Sequence, residues 1–121
     1  MGKDQVYKSP LDPASLLVRR ARLMCKNGDF AKAREFVRQA LDINPESGDA
    51  YMAALMAECQ CSHAEQLGAL VTYEPLSQRG NYQKAMRFGD GGLRIRLEGY
   101  NARVRENWDE EQRQKPRPVL P

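Results

Sequence analysis

The sequence is poor in the residues that catalysis draws on. Its 121 residues include a single histidine, His63, and a single tryptophan. A Ser-His-Asp or Cys-His arrangement would therefore have one possible imidazole base. The adjacent carboxylates Asp109, Glu110 and Glu111 sit on a polar tail. We read the chain as a non-enzyme with no cofactor, no metal and no small-molecule substrate. Long apolar runs are also missing: no stretch approaches the roughly 18 residues of a membrane span. The opening "MGKDQVYK" has no apolar core of the kind a secretory leader needs. Three cysteines are an odd number, which does not suit a disulfide framework and fits free thiols in a reducing, cytoplasmic setting. An excess of one charge sign is lacking too. Lys and Arg number 19 against 16 Asp and Glu, for a net charge of +3. The two signs alternate through most segments, so a nucleic-acid partner is not expected. The glycine-rich "GDGGLRIR", residues 89–96, lacks both the Lys-Ser/Thr of a phosphate loop and a G-x-G-x-x-G fingerprint. It reads as a helix–helix break with Asp90 as cap.

What is present is helical. Hydrophobic residues make up 41% and charged residues 29%, the balance of a globular domain with a modest core. Residues 1–11 show no period and read as a flexible lead-in. Asp12-Pro13 is a helix start, with aspartate as N-cap and proline at the first turn. Leu17, Ala21 and Met24 follow on one face, widened by Leu16 and Leu23, and Asn27-Gly28 supplies a C-cap. Asp29 caps a second helix whose stripe is Phe30, Ala33, Val37, Ala40 and Leu41, ending before Pro45. Ser47 opens a third with Tyr51, Met52, Ala54, Leu55 and Met56. Such short connections make neighbouring helices antiparallel.

The stretch "GDFAKAREFVRQALDINP" resembles the second half of a tetratricopeptide repeat. Starting a unit of about 34 residues at Ala14 places Leu17 at the large first-helix position. It places Gly28 and Phe30 at the turn, Ala33, Val37 and Ala40 on the second helix, and Pro45 at the close. A second unit, 48–75, carries Tyr51 at the large position and Val71 on its second helix. It departs from the pattern at Leu55, Leu67 and Glu74-Pro75. Residues 79–108 read as a divergent pair, one short helix with Tyr82, Ala85 and Met86 inward and a longer one striped by Leu93, Leu97, Tyr100, Val104 and Trp108. This block resembles an extension that follows tetratricopeptide pairs in bacterial proteins. The resemblance implies an all-α superhelix of antiparallel pairs over residues 12–108, about six helices in all. Residues 109–121 read as a charged, proline-rich tail, whose Arg117-Pro118-Val119-Leu120-Pro121 has P-x-x-P form.

"ECQCSHAEQ", residues 58–66, holds two of the cysteines and the histidine. A metal reading fails on ligand number and on spacing, since structural zinc wants four ligands and C-x₂₋₄-C. The stretch reads as the turn of the second unit, with Ser62 and Glu65 as a capping box. Cys61, just ahead of a helix N-terminus, is the expected reactive thiol.

In tetratricopeptide arrays the first helices of each pair line a concave groove that receives a protein or peptide partner. Carried over by phasing, the groove falls to Val18, Arg22, Cys25 and Lys26 of the first unit and to Met52, Met56, Cys59 and Gln60 of the second. Two alternatives stand beside it. One is a basic surface for nucleic acid or an anionic membrane, using Arg19, Arg20, Arg22, Arg94, Arg96 and Arg103. The other is a self-associating module, a homo-oligomer, because so short an array leaves stacking faces open.

Overall fold

Asp12 begins the first helix as its residues demand: its carboxylate accepts from the Ser15 N–H at 2.7 Å, and Pro13 occupies the first turn. The computed structural model describes residues 12–115. Among them are five α-helices: α1 Pro13–Lys26, α2 Phe30–Ile43, α3 Gly48–Glu58, α4 Gly80–Phe88 and α5 Gly91–Gln114. Two 3₁₀ helices, Ala64–Ala69 and Leu76–Gln78, lie between α3 and α4. No strand occurs among the described residues, and the all-helical architecture expected from the periodicity is the one observed.

α1 and α2 form a tight antiparallel hairpin. The chain leaves α1 through Gly28, at φ 82°, while the Asp29 N–H reaches back to the Met24 carbonyl at 2.8 Å. That left-handed position costs glycine nothing and any other residue a steric penalty. Asp29 then caps α2 through Lys32 N–H at 3.1 Å. Val18, Ala21, Val37 and Ala40 are buried between the pair and α3, with Ala50, Ala53 and Ala54. Alanines at these crossings allow close helix approach.

α3 is the hub. Its sequence GDAYMAALMAE is apolar around almost its full circumference, and residues 52–57 are all buried. It leaves through the same kind of cap as α1: Gln60 holds a positive φ of 56°, and the Cys61 N–H reaches the Met56 carbonyl at 2.8 Å.

Here the architecture departs from the expectation. The second unit's second helix, placed within 62–75, is absent. Residues 64–69 form one 3₁₀ segment and 70–75 are irregular. The helix that pairs with α3 is α4. Glu58, at the end of α3, binds Arg79 at 2.7 Å and Asn81 at 3.1 Å at the start of α4. At the other end Gly48 meets Gly89, so closely that a Cβ on Gly48 would lie 2.6 Å from the Gly89 Cα. Tyr51 stacks on Phe88 with ring centroids 6.0 Å apart. α3 and α4 are therefore antiparallel partners, and residues 59–79 are an excursion inserted at their turn.

The excursion is held by α5. Asn107 Nδ2 donates to the Gly68 and Leu70 carbonyls at 2.9 and 3.1 Å, and Asn101 Oδ1 accepts from the Ser77 N–H at 3.0 Å. Leu67 and Leu76 are sealed in one core with Leu93, Leu97 and Val104 of α5. The expected 79–108 pair is accordingly split: α4 belongs with α3, and α5 covers the excursion. α5 also runs on to Gln114, so the tail expected from residue 109 is helical through that point. Glu110 supports the last turn through Arg113 and through Gln114 at 2.7 Å. The lead-in 1–11 and the P-x-x-P segment lie outside the described residues.

Candidate functional site

α1 turns Ala14, Val18, Ala21 and Cys25 inward, which leaves Leu16, Arg19, Arg20, Leu23 and Lys26 on its outer side. Between that side and residues 62–65 of the excursion lies a depression of about 590 Å³. Arg19, Arg20, Arg22 and Lys26 supply its charge, and Leu16, Leu23 and Met56 its apolar surface. Leu16 is 40% and Leu23 51% exposed, unusual for leucines that sit together in a concavity. The far rim is fixed by Gln66, whose Oε1 accepts from the Ser62 N–H at 2.6 Å and the His63 N–H at 3.4 Å.

The charge balance of this surface is one-sided. No acid occurs within α1, and the one carboxylate in the lining is Glu65. Among the described residues, none of the four cations forms an ion pair within 4 Å. Cations held together without counter-charges repel one another, and an anionic partner relieves that repulsion while being drawn to the site.

The family model of the tetratricopeptide repeat matches residues 14–47. The chain carries a tetratricopeptide repeat. No curated protein and no solved structure matches the sequence. The matched residues are the α1–α2 hairpin and the turn into α3. The repeat gives the chain the general character of a protein–protein interaction module.

The α3–α4 pair restates the same design in residues the match does not reach. Gly28-Asp29-Phe30, Ala33 and Phe36 of the tetratricopeptide repeat have counterparts in Gly80-Asn81-Tyr82, Ala85 and Phe88. Ala33 and Ala85 are both fully buried. This parallel was the available signal for the true partner of α3, hidden because the excursion lengthens the second pair beyond the repeat period.

The structure divides the eight groove residues. Arg22 and Lys26 line the depression, and Gln60 is exposed at the α3 cap. Cys59 is half-buried as the C-cap of α3. Val18, Cys25, Met52 and Met56 are buried, the two methionines to 1% exposure, and this corrects their reading as an open groove floor. The physical reason is the excursion, whose Ala64, Leu67 and Leu76 share one core with Met52 and Met56. Leu16, Leu23 and the 62–65 rim were missed by phasing alone. The lack of any acid on α1 was the signal that could have found that side.

The thiols are also corrected. Cys61 is buried, and desolvation, with smaller contributions from Cys59 and Cys25, pushes its thiol up to about 11. It is a protonated structural thiol at neutral pH rather than a reactive one. Burial also raises Cys25 and Cys59, and all three are free. The expected capping box falls one residue later, with Gln66 rather than Glu65 as the reaching side chain. Among the described residues no three His, Cys, Asp or Glu side chains are grouped to hold a metal ion. No helix among them is long and apolar enough to cross a membrane.

Proposed function

We propose that the chain is a non-catalytic protein-binding module whose recognition surface is the depression between α1 and residues 62–65. The observation that carries this reading is the convergence of four cations without ion-pair partners among the described residues and two exposed leucines on one concave surface. Such a surface suits a segment that brings carboxylates for Arg19, Arg20, Arg22 and Lys26 and an apolar side chain for Leu16 and Leu23. Concavity favours a protein segment over a flat membrane surface.

The nucleic-acid reading is weaker. Its six arginines are divided between α1 and α5, and Arg94 turns onto the Gly89 carbonyl at 2.6 Å. On α5 the remaining arginines alternate with Glu98, Glu106 and Asp109.

The test is fluorescence polarisation with a labelled acidic peptide containing leucines, against wild type and an Arg22→Ala/Lys26→Ala double variant. The double variant should bind at least tenfold more weakly with an unchanged melting temperature. Equal binding by both proteins overturns the assignment. Duplex DNA titrated at two salt concentrations separates the alternative, because phosphate binding weakens steeply as salt rises.

A further inference from the structure

We infer that the depression receives an acidic amphipathic α-helix of a partner protein, laid along α1. The inference rests on the depression being a protein-binding surface and names the form its partner takes. The outer side of α1 repeats after two turns: Leu16-x-x-Arg19 is followed by Leu23-x-x-Lys26. Seven residues rise about 10.5 Å and return almost to the same face. The two leucines therefore fall on one line, Arg19 and Lys26 on a parallel line beside it, and Arg20 on the opposite flank. All five line the depression, and they face away from the buried Ala14, Val18, Ala21 and Cys25. A leucine seam with this repeat and charged flanks is the face that one helix offers another. Leu16 and Leu23 have no such neighbour among the described residues, being 40% and 51% exposed.

What α1 lacks decides between a helical and an extended partner. Its lining side chains are leucines, arginines and a lysine, and none of these accepts a hydrogen bond. The backbone groups of α1 are consumed within the helix. An extended segment would therefore leave the N–H groups it turned toward α1 without acceptors. A helix satisfies its own backbone and brings only side chains. Its pitch also equals that of α1, so leucines two turns apart can meet Leu16 and Leu23 together. Charge decides the sign of the partner. Arg19, Arg20, Arg22 and Lys26 face the single acid Glu65 across the depression. Asp49 shares a separate hollow with Arg19 and Arg22, yet forms no ion pair with either within 4 Å. Carboxylates flanking the partner's leucines would supply the missing counter-charges.

Three labelled peptides test this by fluorescence polarisation on the full chain. The first spaces its leucines seven residues apart and flanks them with glutamates on an alanine background. The second holds the same residues in scrambled order, and the third is the first with a central alanine replaced by proline. The first should bind at least tenfold more tightly than either of the others. With isotopic labels, its Cα chemical shifts should move to helical values on binding. A Leu16→Ser/Leu23→Ser variant, checked for folding by circular dichroism melting, should bind the first and the scrambled peptide alike. If that variant does not fold, an Arg19→Glu/Lys26→Glu variant should instead prefer the first peptide with its glutamates replaced by lysine. Equal binding of all three peptides by wild type overturns the helical partner and leaves the depression a general site for acidic segments. If none binds, the protein-binding reading of the depression fails with it. Sedimentation velocity of the chain alone should give a monomer. Association that rises with concentration and is dispersed by the first peptide would give the depression to a second copy and overturn the inference.

Discussion

Glu58 accepts from the Arg79 guanidinium at 2.7 Å and from Asn81 Nδ2 at 3.1 Å, joining the last residue of α3 to the first turn of α4 across the whole 59–79 excursion. The side chains of the pair are partly exposed, so water competes for both bonds and limits what they contribute. Glu58→Ala removes them together and leaves Arg79 without its counter-charge. We expect a loss of about 1–2 kcal/mol in urea denaturation, with the helix content of the folded state unchanged.

Gln60 occupies at the end of α3 the position that Gly28 occupies at the end of α1, with φ of 56° and 82° respectively. A side chain at such an angle crowds the backbone, whereas glycine does not. Gln60→Gly should therefore stabilise the protein by about 0.5–1 kcal/mol. Gly28→Ala should destabilise it by a similar amount, although open space surrounds that site. Melting temperatures moving in opposite directions for the two changes would verify the cap.

The approach of Gly48 to Gly89 leaves no room for a methyl group: a Cβ on Gly48 would lie 2.6 Å from both the Cα and the N of Gly89. These atoms are backbone and cannot rotate away. Gly48→Ala should force the N-terminus of α3 off α4 at a cost of about 1–3 kcal/mol. A wild-type denaturation midpoint for this variant would contradict the α3–α4 pairing.

Cys61 sets a pH dependence. Its thiol ionises near 9.0 when solvated and is pushed up to about 11 by burial in the fold. Between these values the unfolded chain has lost the proton that the folded chain retains. Stability is thus intact below pH 9 and falls as pH rises toward 11, by about 2 kcal/mol for this group. Cys61→Ala should flatten that part of the stability profile, measured by denaturant titration at successive pH values.

What the sequence made legible was local. Asp12-Pro13, Asn27-Gly28-Asp29 and the Phe30, Ala33, Val37, Ala40 stripe act within one or two turns, and α1 and α2 follow from them. The second pair was not legible by period alone, because it depends on contacts far apart in the chain. Residues 64–69 are drawn into a 3₁₀ turn where Gly68 lies against Tyr100, a Cβ there falling 3.2 Å from the ring. The Gly68 and Leu70 carbonyls accept from Asn107 instead of continuing a helix. The same excursion buried Met52 and Met56, which phasing had placed on an open face. No residue of α3 announces this, since an apolar floor reads alike whether a partner or the chain itself covers it. Arg22 and Lys26 kept their place at the surface because long cationic side chains resist burial without partners.

The inserted excursion also bears on the order in which the two hairpins form. α1 and α2 meet after closing only residues 27–29, while α3 and α4 must close residues 59–79. The entropy of loop closure grows as the logarithm of length, which makes the second closure about 2 kcal/mol costlier. Folding should accordingly begin in the α1–α2 hairpin and finish when α5 settles over the excursion. The chain thus carries a fast, local half and a slow, long-range half under one core, and the slow half forms the rim of the depression to which α1 contributes the charge.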